Sequence, residues 1–345
     1  MESKVIQKGR RKKCSSEHLN QFINNEIKII GGINAGSFGD IYLGRDVHTM
    51  EEFAIKIDKK KTERSLQNFF KEYRIMKKIE GTGIFPKCSL VNFTPNNSND
   101  SNIELSAMIM EKLGPNIYDM FKICGRELSI KTGLWLIQDF ISRIKEFHAS
   151  GLVHRDIKPE NFCLGGEDLK DVYLIDFGLS KPYLDSKGEH VPFEKNRGFV
   201  GTRRYASKYA HKGYLQSRRD DLEAIGYLTI FLIKGSLPWQ DIKTRTKTKK
   251  EKHQKLFEMK SKMSLKNLCV DLPPPFERYM RCIKDLEYLQ IPEYDYYIKI
   301  FLNFCKENEI DRKFEWEENY EFNKELKGWK KYQDRMKEAK KNSEN

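Results

Sequence analysis

Hydrophobic positions change their spacing once along the chain. From residue 27 they fall in short β-like runs, at 27–30, 40–43, 53–57 and 103–110, which predict a small antiparallel sheet. Between the third and fourth runs, Leu66, Phe69, Phe70, Tyr73, Ile75 and Met76 recur at roughly helical spacing, so one amphipathic helix should lie against that sheet. Beyond residue 114 helical periodicity takes over. Leu134, Ile137, Ile141, Ile144 and Phe147 keep one face apolar, while 222–233 is apolar nearly all round, as suits a helix buried within a lobe. The pattern predicts an α+β chain with a small β-rich N-terminal lobe and a larger, mainly helical C-terminal lobe. An Asn/Ser/Asp-rich stretch at 96–102 reads as a loop, and no internal repeat is visible.

The two ends differ from this middle. Residues 1–26 lack apolar periodicity and carry Lys8, Arg10, Arg11, Lys12 and Lys13, so they are expected to form a basic, flexible arm. Residues 317–345 are dense in charge with aromatic interruptions. There the pairs Asp334 with Lys337 and Glu338 with Lys341 favour an exposed helix.

Composition narrows the class. Of 345 residues, 39% are hydrophobic and 33% charged, which suits a soluble globular chain better than a disordered one. The longest uncharged apolar stretch, 224–233, is about half of the roughly 20 residues a bilayer demands, so no membrane span is expected. The first residues have no apolar core, which argues against a secretory signal and for a cytoplasmic or nuclear setting. Seven cysteines are scattered without a CxxC pair or histidines at ligand spacing, so neither zinc nor a disulfide framework is indicated. The net charge of +13 would suit nucleic acid, an acidic membrane surface, or an acidic or phosphorylated protein.

Candidate chemistry begins at Asn34-Ala35-Gly36-Ser37-Phe38-Gly39-Asp40-Ile41-Tyr42. This glycine loop lies between two strand-like runs, so it caps a hairpin and does not open a Rossmann helix. Its glycines would let backbone N–H groups approach a triphosphate. Phe53-Ala54-Ile55-Lys56 follows, a strand carrying a lysine suited to phosphates, with Glu72 on the next helix as its candidate partner. Then come His154-Arg155-Asp156-Ile157-Lys158-Pro159-Glu160-Asn161 and Asp176-Phe177-Gly178. Phosphoryl transfer needs a carboxylate to orient the attacking hydroxyl, oxygen ligands for metal ions and cations for developing charge. Asp156, the pair Asn161 and Asp176, and the pair Lys56 and Lys158 fit those roles, and the ordered set matches the protein-kinase signature.

Three further strings sharpen the resemblance. Gly201-Thr202-Arg203-Arg204-Tyr205-Ala206-Ser207, Gln216-Ser217-Arg218-Arg219-Asp220-Asp221-Leu222-Glu223 and Gly235-Ser236-Leu237-Pro238-Trp239 look like the casein kinase 1 group of serine/threonine kinases. The usual Ala-Pro-Glu string is missing after the activation segment, as it is in that group. The resemblance implies a bilobal protein kinase fold with the domain at 27–316, divided into an N-lobe at 27–110, a hinge at 111–114 and a C-lobe at 115–316. It implies ATP and Mg2+ as cofactors. Met110 would guard the back of the adenine pocket, backbone groups of Glu111 and Leu113 would meet the adenine edge, and Ile33, Ile41 and Ala54 would supply apolar walls. Asp221 would anchor the catalytic loop from a buried helix. Arg204 with Lys250 would form one anion site beside the substrate, and Arg155, Lys181 and Arg197 a second. Such sites favour Ser or Thr placed after a phosphorylated or acidic residue. A monomer acting on protein substrates is expected.

Some positions depart from the group. Asn34 replaces the first loop glycine, Arg203 replaces the usual alanine and Asp241 a glycine. Between residues 180 and 205 the only Ser/Thr hydroxyls are Ser180, Ser186 and Thr202, so loop phosphorylation has few places to act. The basic run of Lys243, Arg245, Lys247, Lys249, Lys250 and Lys252 reads either as solvated surface or as a substrate contact through Lys250. Two rivals stand beside the kinase reading. A catalytically dead scaffold would have lost Lys56, Asp156, Asn161 or Asp176, and none is lost. A specific nucleic-acid binder would show aromatics interleaved with a basic stripe on a recognisable module, which the sequence lacks.

Overall fold

The computed structural model describes residues 14–35, 39–58, 62–81, 85–95, 104–166, 168–240 and 248–343. The chain forms two compact units, residues 1–113 with 332–345, and residues 114–331. The basic cluster at 8–13, the loop at 96–102, Asp241, Lys243, Arg245 and Lys247 lie outside the described residues.

The first unit is built on one antiparallel sheet. Its strands are β1 (Phe22–Ile23), β2 (Ile27–Ala35), β3 (Asp40–Asp46), β4 (Glu52–Ile57), β5 (Cys88–Phe93) and β6 (Leu105–Glu111), in the order β1-β2-β3-β4-β6-β5. Helix α1 (Glu63–Ile79) starts where Thr62 caps it by accepting from the Ser65 N–H. Register gives the sheet two distinct faces, because side chains alternate along each strand. Tyr42 pairs with Ile55 and Ile55 with Ile109, so these residues share one face with Ile57 and Ala107, and all are buried. Ile41 pairs with Lys56, Lys56 with Met108, and Ala54 with Met110, so the opposite face carries Lys56 together with Ile41, Ala54 and Met110.

The first of those faces explains why part of the arm expected over 1–26 is structured. Tyr42 and Ile55 would be exposed unless something covered them, and residues 14–23 do so. Cys14 and Leu19 pack on that core, and the His18 ring meets Tyr42 edge-on at 5.6 Å. The Tyr42 hydroxyl donates to the Ser15 carbonyl at 3.1 Å, and the Ser15 N–H donates to Asp40 at 3.1 Å. Strand β1 then adds to the sheet edge beside β2. The ordered fold therefore starts well before residue 27.

The second unit is mainly helical. It comprises α2 (Ile117–Ile123), α3 (Ile130–Ala149), the short strands β7 (Leu152–Val153), β8 (Phe162–Gly165), β9 (Asp171–Leu174) and β10 (Lys181–Pro182), then α4 (Lys208–His211), α5 (Arg218–Lys234), α6 (Lys249–Lys262), α7 (Leu265–Leu268), α8 (Pro274–Asp285) and α9 (Tyr294–Glu307). Helix α5 is buried along almost its whole length and packs against α3 and α8. The Asp220 carboxylate starts it by accepting from the Ser217 N–H at 2.8 Å, and Gly235 in the left-handed region (φ 70°) ends it. Two hairpin-like pairs, β7 with β10 and β8 with β9, hold the loops between them.

The charged tail is helical, as α10 (Tyr320–Ser343), but it is not merely solvated. In the second unit Phe322 is buried and the Trp329 indole donates to the Gly166 carbonyl at 2.8 Å. In the first unit the Tyr332 hydroxyl accepts from the Glu52 N–H at 3.0 Å, and Lys112 lies over the Tyr332 ring. The aromatic interruptions in the tail are its anchors.

Candidate active site

In the first unit, β4 presents Lys56 and α1 presents Glu72. The Lys56 ammonium donates to both carboxylate oxygens of Glu72, at 2.6 and 2.7 Å, and both side chains are buried. Gly36, Ser37 and Phe38 lie outside the described residues. Gly39, at φ 144°, is required by its surroundings, since a Cβ there would stand 2.8 Å from the Ile57 carbonyl. The Asn34 carbonyl accepts from the Cys14 thiol at 3.1 Å, and Ile33 is exposed. The Glu111 N–H is committed to the Lys87 carbonyl at 3.0 Å, and Glu111 pairs with Phe53 across the sheet. Met110, Leu113, Ile41 and Ala54 are half-buried.

In the second unit, the loop between β7 and β8 and the turn after β9 gather the other signature residues. Asp156 accepts from Lys158 at 2.5 Å through one oxygen and from the Thr202 hydroxyl at 2.7 Å through the other. Asn161 spends its amide nitrogen on the Asp156 carbonyl at 2.9 Å, so its side-chain oxygen is the group available to a cation. The Asn161 carbonyl accepts from the Ile175 N–H at 2.9 Å, which ties Asn161 to the residue before Asp176. Lys158 lies 3.8 Å from Asp176. Burial alone would lower the Lys158 pKa, but the carboxylates of Asp156 and Asp176 outweigh it and hold the ammonium charged. Phe177 stacks on Phe147 at 5.1 Å and meets His154 edge-on, which locks the turn that carries Asp176.

This loop is strained and is held in place. Arg155 and Asp176 both have positive φ, 68° and 65°. Asp221, fully buried at the start of α5, accepts from the His154 N–H at 2.7 Å and the Arg155 N–H at 2.8 Å. It also meets His148 Nε2 at 2.9 Å. Burial keeps His148 below its ordinary value, so the imidazole is neutral near pH 7 and donates to Asp221. Burial would raise the Asp221 carboxyl, but these donors overcome it and lower its pKa. Gly201, at φ 105°, passes so near the loop that a Cβ would stand 2.4 Å from the Arg155 carbonyl. Asp221→Ala leaves three buried donors without an acceptor. It is expected to cost at least about 3 kcal/mol in a denaturant titration and to lower turnover with it.

A family model described as Protein kinase domain matches residues 24–323. The chain belongs to the protein kinase domain family. Its match begins in the turn between β1 and β2 and ends inside α10, wider on both sides than the expected 27–316. The family's chemistry is ATP-dependent phosphoryl transfer, and the β-rich first unit and helical second unit are its α+β architecture.

Within this kinase domain the basic residues separate into groups. Burial lowers the Lys181 pKa, and the charges of Arg197 and Arg155 lower it further. Arg155 donates to the Leu179 carbonyl at 2.7 Å, and Arg197 pairs with Glu194 at 3.3 Å. The Arg204 guanidinium lies 4.7 Å from the Phe231 ring centroid, and among the described residues no carboxylate forms an ion pair with it. Lys250 is exposed in the first turn of α6. Helix α6 approaches the segment of Arg203 and Arg204 through His253 and Lys260, neither of which the sequence pattern singled out. His253 Nε2 accepts from Arg203 at 3.3 Å. Lys260 is wholly buried, and burial pushes its ammonium down to about 7.

Proposed function

We propose that this kinase domain is an active serine/threonine kinase of the casein kinase 1 type, transferring the γ-phosphoryl group of ATP to Ser or Thr hydroxyls in acidic or phospho-primed proteins. The arrangement of Asp156, Lys158, Asn161 and Asp176 carries this reading. Asp156 is poised to orient the substrate hydroxyl and accept its proton, and Lys158 beside it can hold the transferred group's charge. Lys56, fixed by Glu72, would hold the α- and β-phosphates.

The donor set fits Mg2+, which is bound through few protein oxygens plus substrate phosphates. Asn161 through its side-chain oxygen and Asp176 through its carboxylate would be the ligands, and the ion would neutralise charge on the phosphates. Among the described residues no group of three or more His, Cys, Asp or Glu could hold a metal by itself.

Activity without loop phosphorylation belongs to the same proposal. Ser180 is buried and the Thr202 hydroxyl is engaged by Asp156, which leaves Ser186 as the exposed hydroxyl of the segment. The segment is already tied down by its own backbone bonds, from Arg197 N–H to the Gly213 carbonyl and from Leu215 N–H to the Glu194 carbonyl. Cytoplasmic or nuclear action as a monomer, without specific nucleic-acid binding, completes the reading. Among the described residues no helix is long and apolar enough to cross a membrane.

Substrate choice is tested by comparing phospho-primed with unprimed acidic peptides. Arg204→Ala combined with Lys250→Ala is expected to raise KM for the primed peptide about tenfold more than for the unprimed one, since a charge-assisted contact to phosphate is worth roughly 1.5–3 kcal/mol. Equal losses on the two peptides would remove Arg204 and Lys250 from the anion site.

A further inference from the structure

Lys260 stands apart from the other lysines of α6. Its ammonium donates to the carbonyls of Arg203 at 3.2 Å, Arg204 at 3.2 Å and Ala206 at 2.5 Å. An ammonium has three N–H donors, so three acceptors saturate it. Its stem and charge lie against aromatic faces, 4.8 Å from the Trp239 ring centroid and 5.0 Å from that of Tyr227. Among the described residues no carboxylate forms an ion pair with it.

The buried Glu223 carboxylate favours the Lys260 charge without forming an ion pair with it. A buried cation so placed is a poor way to gain stability, because an apolar side chain of similar volume would avoid its desolvation. What Lys260 supplies is geometric. Three carbonyls within four residues converge on one point, and that stretch carries Arg203 and Arg204. Two of the carbonyls have a second donor from elsewhere: Trp239 Nε1 reaches the Arg204 carbonyl at 2.8 Å, and His211 Nε2 lies 3.2 Å from the Arg203 carbonyl. Only the Ala206 carbonyl depends on Lys260 alone among these three. Helix α6 also holds the side chain of Arg203 through His253, whose ring lies against Phe199 at 4.2 Å.

We propose that Lys260 is a specificity-determining positioning residue: by gathering the carbonyls of Arg203, Arg204 and Ala206 it sets the backbone that presents Arg203 and Arg204 to an anionic protein substrate. The proposal rests on the kinase reading above and adds a residue that contacts neither nucleotide nor substrate. Arg203 then belongs with Arg204 as a contact to the anionic residue, its guanidinium aimed by His253.

The test compares wild type, Lys260→Met and Lys260→Gln, with Lys262→Met on the exposed side of the same helix as the control. Steady-state kinetics are measured with a phospho-primed and an unprimed acidic peptide, and ATP affinity by calorimetry. Lys260→Met is expected to raise KM for the primed peptide about tenfold, the loss of one charge-assisted contact's worth of alignment, with kcat and ATP affinity within about threefold. Lys260→Gln, which restores amide donors without charge, should fall between Met and wild type, and Lys262→Met should match wild type. An unchanged primed-peptide KM in a folded Lys260→Met protein overturns the proposal. So does a parallel loss of ATP binding in both variants, which would make Lys260 merely structural. A wild-type protein that phosphorylates no Ser or Thr peptide would instead sink the functional reading on which this inference rests.

Discussion

Asp156→Asn is expected to lower kcat roughly a thousandfold while ATP affinity stays within about threefold, because a positioned general base contributes about 10²–10⁴ in rate. The substitution preserves shape. An asparagine oxygen can still accept from Thr202 or from Lys158, the two contacts that orient Asp156, so the loop should keep its course. What is lost is the capacity to take a proton from the attacking hydroxyl. The loss should therefore appear in kcat and not in nucleotide binding, and single-turnover kinetics beside ATP calorimetry separate the two. Unchanged turnover would remove Asp156 from the chemistry.

The second large effect concerns Lys56. Removing it as Lys56→Met leaves the Glu72 carboxylate buried without its main counter-charge, a change expected to cost about 3–5 kcal/mol of folding stability. Activity should fall at least a hundredfold as well, since the phosphates lose a cation. A second substitution separates these consequences. Glu72→Gln on the Lys56→Met background removes the stranded charge, so most of the lost stability should return in a denaturant titration, while activity should not. If the double variant recovered turnover together with stability, Lys56 would be a structural ion-pair partner and nothing more.

Much of this was readable in the residues, for identifiable reasons. The helix α1 and the central strands are set by strong periodicity, and the alternation of β4 places Ala54 and Lys56 on one face. The signature residues of the second unit sit within one short loop and one turn, so local sequence defines them. What escaped notice depends on contacts between residues far apart in the chain. Strand β5, with Ser89 and Asn92 in its six residues, has too little apolar alternation to announce itself. The covering role of residues 14–23 becomes visible only once Tyr42 is known to face outward from the strands and to need a lid of its own. Thr202 was legible as a hydroxyl, but its bond to Asp156 joins residues 46 positions apart. Lys260 was hidden most completely, since a lysine in a run of lysines on a helix looks solvated, and only the carbonyls it gathers show otherwise.

One assay bears most directly on the central claim. Purified protein is incubated with γ-labelled ATP, Mg2+ and a library of primed and unprimed peptides, with the Asp156→Asn protein alongside, and the labelled residue is identified by phosphoamino-acid analysis. Label on Ser or Thr placed after phosphorylated or acidic residues, and absent with Asp156→Asn, is the predicted outcome. No transfer at all, label on tyrosine, or equal label from the Asp156→Asn protein would contradict it.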